Sequence, residues 1–128
     1  MKKIFIIFIG ISLMMITYLN MKDSDISYGE YVYEREGFGG DFIITINEDH
    51  SFEYYEGSLS SYIGYGEWSI KGNTITLNDY GMGDKTRTIV FKISDKSLIY
   101  IGDKSDNFIY VKVEDKDRFI LKMSDNQP

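Results

Sequence analysis

The stretch Ile63-Gly64-Tyr65-Gly66-Glu67-Trp68-Ser69-Ile70-Lys71-Gly72-Asn73-Thr74-Ile75-Thr76-Leu77-Asn78 decides the fold. Gly64, Gly66, Trp68 and Ile70 share a face by simple alternation. The Gly72-Asn73 break suits a primed turn because both residues tolerate positive φ, so 74–78 should pair back against the Trp68 strand. Outward from this hairpin the same period of two recurs in short runs, separated about every eight to twelve residues by Gly, Asn, Asp and Ser. It predicts strands near 28–34, 41–47, 51–56, 63–71, 74–78, 86–94, 97–101, 108–113 and 119–122. Phe42, Ile44 and Ile46 share a face in the second, Phe52 and Tyr54 in the third, and Ile89, Phe91 and Ile93 in the sixth. The connections are too short for parallel crossovers, so the sheet is expected to be an antiparallel meander. Eight or nine strands with one apolar face close into a small barrel, with a two-sheet sandwich as the alternative. The expected fold class is therefore all-β, preceded by an N-terminal hydrophobic helix.

That helix is read from Met1 to Met21, where Lys2 and Lys3 precede sixteen uncharged residues from Ile4 to Leu19. The pattern is an export signal. Sixteen helical residues span about 24 Å, slightly short of a hydrocarbon core of about 30 Å. Tyr18 to Lys22 offer no small-x-small cleavage site, which favours an uncleaved anchor over a cleaved, secreted form. The flanking lysines place the remainder outside the cytoplasm. The expected organisation is a signal or anchor over 1–21, a stalk over 22–27, a barrel over 28–123 and a tail over 124–128. Without Lys2 and Lys3 the chain carries 20 acids against 12 bases, a net charge of −8, the wrong sign for a nucleic-acid surface. Zero Cys excludes disulfides, thiolate metal sites and cysteine nucleophiles.

Individual sites are weak. His50, the single imidazole, falls in a turn and reads as an exposed turn residue rather than a catalytic base. The acidic runs Asp103 to Asn107 and Glu114 to Asp117 lack calcium-loop spacing. Gly37-Phe38-Gly39-Gly40 precedes a strand, so no helix terminus is there to hold phosphate. Glu53 and Glu67 read as outward strand acids rather than a glycosidase pair. No metal site, cofactor or catalytic residue is expected. The notable excess is aromatic, 11 Tyr and 8 Phe. Two uses are open, core rings alternating with Gly as in Gly64-x-Gly66-x-Trp68, or a ligand surface of rings with polar tips. Tyr54, Tyr62, Tyr65, Trp68 and Tyr110 are the candidate ligand-binding residues, with loop 57–62 as the place to look first.

Through Phe52-x-Tyr54-Tyr55-Glu56-Gly57-x-Leu59-Ser60-Ser61-Tyr62-Ile63-Gly64-x-Gly66-x-Trp68, and again at Ser105 to Val111, the chain resembles a small uncharacterised extracytoplasmic domain of Gram-positive bacteria. Such domains stand alone behind a signal or are joined to membrane metallopeptidases of the antibiotic-sensor type. More loosely, Phe52 through Asn73-x-Ile75-x-Leu77 is similar to bacterial lipocalin-like domains, which hold small or apolar ligands in a barrel. In true lipocalins the Gly-x-Trp lies on the first strand, whereas here it lies mid-chain. The resemblance implies no catalytic residues. The expected function is a non-enzymatic binding module outside the cell for a protein or peptide partner. A lipocalin-like carrier with a cavity lined by Trp68, Tyr54 and Tyr110 is the alternative.

Overall fold

A computed structural model describes residues 24–35, 42–57, 62–81, 85–109 and 111–122. The expected N-terminal helix and the C-terminal tail fall outside the described residues. Within them the chain forms eight strands: β1 (Gly29–Tyr33), β2 (Phe42–Ile46), β3 (Ser51–Glu56), β4 (Tyr62–Lys71), β5 (Thr74–Asp79), β6 (Arg87–Ser94), β7 (Ser97–Tyr100) and β8 (Arg118–Leu121). Each pairs antiparallel with the next, and β8 closes on β1 through Tyr31 opposite Leu121 and Tyr33 opposite Phe119. The result is a closed barrel, not a sandwich.

Closure follows from alternation. Phe42, Ile44 and Ile46 on β2, Phe52 and Tyr54 on β3, Ile75 and Leu77 on β5, and Ile89, Phe91 and Ile93 on β6 all point inward and are buried. A sheet with one such continuous apolar face hides it most completely by joining its own edges. The interior is filled by interlocking rings, Phe42 lying edge-on to Phe108 at 4.8 Å and to Phe119 at 5.0 Å. Two glycines make room for them. Tyr54 lies across from Gly64 and Phe52 across from Gly66. A Cβ on Gly64 would stand 2.1 Å from the Tyr54 ring, and one on Gly66 would stand 1.8 Å from the Asn78 carbonyl oxygen.

The meander gives the barrel two unlike ends. At one, short turns join β2 to β3, β4 to β5 and β6 to β7. Gly72 takes a φ of 63° there, while Asn73 does not need positive φ. The same end is covered by Trp68, whose ring lies under His50 at 4.3 Å and 9° and whose Nε1–H donates to the Asn47 carbonyl at 3.0 Å. The other end carries the longer connections and a 3-10 turn, Gly102–Lys104.

One expected strand is absent. The described residues of 108–113 make no ladder, because β7 and β8 pair directly, Leu98 opposite Phe119. Phe108 instead packs against Phe42, Tyr54, Tyr100 and Phe119, and Val111 and Val113 are buried beside it. Amide donors of the segment are taken up by a carboxylate rather than by a strand. Ile109 N–H donates to Glu56 Oε2 at 3.2 Å and Val111 N–H to Glu56 Oε1 at 2.9 Å. Glu56 is fully buried, and these donors supply part of the solvation its charge has lost.

Candidate functional site

Three places gather side chains that chemistry could use. The first lies at the loop end of the lumen. Tyr54 donates its hydroxyl proton to Asp79 Oδ2 at 2.6 Å, and Gly81 N–H donates to Asp79 Oδ1 at 2.8 Å. Arg87 Nη1 donates to the Tyr54 oxygen at 3.2 Å and stands 3.7 Å from Asp79 Oδ2. Asp79 is fully buried, so the group ties β3, β5 and β6 together as a charge-compensated interior cluster. Burial first, and then the hydrogen bond to Asp79, push the Tyr54 hydroxyl well above the usual phenol range. Tyr62 is also raised by burial. Its hydroxyl and Arg87 Nη2 are buried without a hydrogen-bond partner among the described residues. Among the described residues no group of His, Asp and Glu is arranged to hold a metal ion.

The second place is the turn end, where His50 stacks on Trp68 and Tyr28 lies tilted against the indole at 6.3 Å. His50 is exposed with a φ of 68°, and its carbonyl accepts from Trp68 N–H at 2.8 Å. Here it acts as a cover over the indole.

The third is the outer surface of five consecutive strands. Reading the registers across β8, β1, β2, β3 and β4 gives Ile120 opposite Val32, Val32 opposite Ile43, Ile43 opposite Tyr55 and Tyr55 opposite Ile63. Period-two alternation puts all five outward, in one unbroken apolar row. Ile63 is 62% exposed; Tyr55 and Ile120 are also exposed, and Val32 and Ile43 are half-covered. A second row runs beneath, with Glu30 opposite Thr45, Thr45 opposite Glu53 and Glu53 opposite Tyr65. Tyr65 is 56% exposed and takes the Tyr80 N–H on its carbonyl at 2.8 Å, which sets the exposed Tyr80 beside it. A shallow groove between the rows is lined by Glu30, Ile43, Thr45, Glu53, Tyr55 and Ile63. One-sided antiparallel sheets ordinarily turn polar side chains to water. The row departs from that pattern, with Tyr55, Ile63 and Ile120 open to water and Val32 and Ile43 half-covered between them.

The residues singled out from sequence divide accordingly. Tyr54 and Trp68 are core residues, 1% and 5% exposed. Tyr62 is half-buried at the start of β4, Tyr65 stands on the outer surface, and Tyr110 lies outside the described residues. Of loop 57–62 the described ends are Gly57, buried, and Tyr62; the residues between lie outside the description. Glu53 and Glu67 are exposed strand acids, diagonal to each other across β3 and β4. Alternation alone had pointed to inward faces. The missed signal was the apolar residue between two inward ones, Val32 between Tyr31 and Tyr33 and Ile43 between Phe42 and Ile44, which makes β1 and β2 apolar on both sides. Among the described residues no helix is long and apolar enough to cross a membrane. The chain matches no family model, no curated protein and no solved structure.

Proposed function

We propose that this chain is a non-enzymatic binding module that works outside the cytoplasm, held by its N-terminal apolar segment, and engages a protein or peptide partner. The outward row Ile120, Val32, Ile43, Tyr55 and Ile63, with Tyr65 and Tyr80 beside it, is the observation that carries the reading. Tyrosines on a rigid sheet offer large contact area at small entropic cost, because the backbone beneath them is already fixed. Loop 57–62, the place singled out from sequence, leads along the chain into Tyr62 and Ile63. Interior carriage of an apolar ligand has less support, since Tyr54, Trp68 and Phe108 occupy the lumen with their own rings. The Lys2-Lys3 flank and the apolar run to Leu19 support the extracytoplasmic placement.

Replacing Tyr55, Tyr65 and Tyr80 together with Ala tests the reading. Partner recovered from the cell surface with the parent chain should fall by at least tenfold with the variant at unchanged folding. Equal recovery would remove the basis for the proposal. Mass spectrometry of the N-terminus in membrane and medium fractions tests the tether, which predicts intact Met1 or Lys2 in the membrane fraction.

A further inference from the structure

The outer wall carries charge as well as apolar surface, and the two are laid out in order. Glu53 faces Tyr65 directly across the β3–β4 ladder, and Glu67 lies two residues further along β4. Among the described residues neither forms an ion pair, nor does Glu30. Lys71 and Lys122 stand at the turn end, Lys122 beside Glu30 through its N–H to the Glu30 carbonyl at 2.7 Å. Towards the loop end Val32, Ile43, Tyr55 and Ile63 carry no charge, and the outward base of that end is Arg118 at the β8 edge of the row. The wall thus runs from an apolar row at the loop end to a diagonal pair of uncompensated carboxylates lower down.

From this layout we infer that the wall receives a cationic amphipathic segment of a partner protein, its apolar side chains on the Val32–Ile43–Tyr55–Ile63 row and its Lys or Arg side chains against Glu53 and Glu67. The inference rests on the binding-module reading above and names the chemistry of the partner. An anionic bilayer or nucleic acid would be repelled by Glu53 and Glu67, and a second copy of the chain is an outcome of the test below. The net charge of −8 outside the leader favours the approach of a cation from a distance. An extended segment with apolar and cationic residues in alternation matches the wall, because its two faces separate with a period of two.

The test uses the full-length chain in neutral detergent micelles, with empty micelles as the blank, and three short labelled peptides: alternating Leu and Lys, alternating Leu and Glu, and alternating Ser and Lys. The Leu/Lys peptide should bind, the other two at least tenfold more weakly. E53Q and E67Q together should weaken Leu/Lys binding about three- to tenfold, as expected for two partly exposed pairs, and should flatten its salt dependence. I63S should weaken it at least as much. Equal affinity for Leu/Lys and Leu/Glu, or no change on E53Q/E67Q, overturns the charge assignment. No change on I63S overturns the placement on the row. Self-association of the chain that I63S abolishes would make the occupant a second copy and also overturn it. Loss of the native partner in the tyrosine variant, with no binding of the Leu/Lys peptide, leaves the binding module standing and removes only this inference.

Discussion

The two walls of the barrel are built on the same plan inside and on opposite plans outside. On β5, β6 and β7 the outward positions besides Val90 are Thr74, Thr76, Asn78, Thr88, Lys92, Ser94, Ser97 and Ile99, the last half-buried. Val90 is the large aliphatic side chain among the β6 outward positions, and the chain covers it. Val90 N–H donates to Ser105 Oγ at 2.8 Å, Ile101 N–H to the Val90 carbonyl at 3.0 Å, and Asp106 grips Thr88 through both its backbone and its carboxylate. Val90 ends 7% exposed. On β8, β1, β2, β3 and β4 the outward aliphatic and aromatic side chains stand in a row, and Tyr55, Ile63 and Ile120 remain open to water. Antiparallel pairing and closure constrain both walls equally, so folding alone gives no reason for the second pattern. The contrast is what supports the proposed contact surface.

Because the walls share one interior, the largest expected effect needs no mutation. Tyr31 is pushed up to about 12 by burial. Tyr33 and Tyr54 are raised further, by burial and then by their hydrogen bonds to Asp117 and Asp79. These phenols are kept neutral by the fold, so their contribution is complete below the unfolded value of 10.0 and is lost as pH rises towards their folded values. Each can steepen the loss by up to about 1.4 kcal/mol per pH unit. Tyr31 and Tyr33 both stand on β1, whereas Tyr54 is shared among β3, β5 and β6, so hydrogen exchange near pH 11 should open β1 before β5 and β6. Simultaneous opening would show that the walls are not distinguishable units.

Next in size are truncations that test whether the interiors are equivalent. Phe119→Ala on β8 and Leu77→Ala on β5, both fully buried, should each cost about 3–5 kcal/mol in urea unfolding. A near-zero cost for either would mean that its wall does not share the core. Ser105→Ala should cost about 1–3 kcal/mol, because it leaves the Val90 amide without its acceptor while uncovering part of the side chain. The smallest effects on stability fall outside. Ile63→Ser and Thr76→Ala should each stay within about 0.5 kcal/mol of the parent. Only the first should weaken partner binding, and equal weakening by both would abolish the distinction between the walls.

Much of this architecture was legible in the sequence. The Gly72-Asn73 turn, the inward sets of β2, β3 and β6 and the absence of crossovers rest on alternation and turn chemistry, which are local. The segment 108–113 misled because Phe108, Val111 and Val113 are apolar like a strand, yet the partner that fixes their backbone is the carboxylate of Glu56, more than fifty residues away in sequence. The site was less legible. Trp68 shares the inward parity of Gly64 and Gly66 on β4 and Tyr54 lies opposite Gly64 on β3, whereas Tyr65 falls on the opposite parity and stays out. The apolar row exists only once Val32, Ile43, Tyr55, Ile63 and Ile120 are set in register across five strands, which no single segment encodes.

The proposed partner sits on the outer surface of β8, β1, β2, β3 and β4. A photo-crosslinking residue placed at position 63 in one full-length chain, and at position 76 in another, tests it in intact cells. Position 63 should give a discrete protein adduct that competes away with excess unlabelled parent chain, and position 76 none. Adducts of equal yield from both positions, or from position 76 alone, would contradict it.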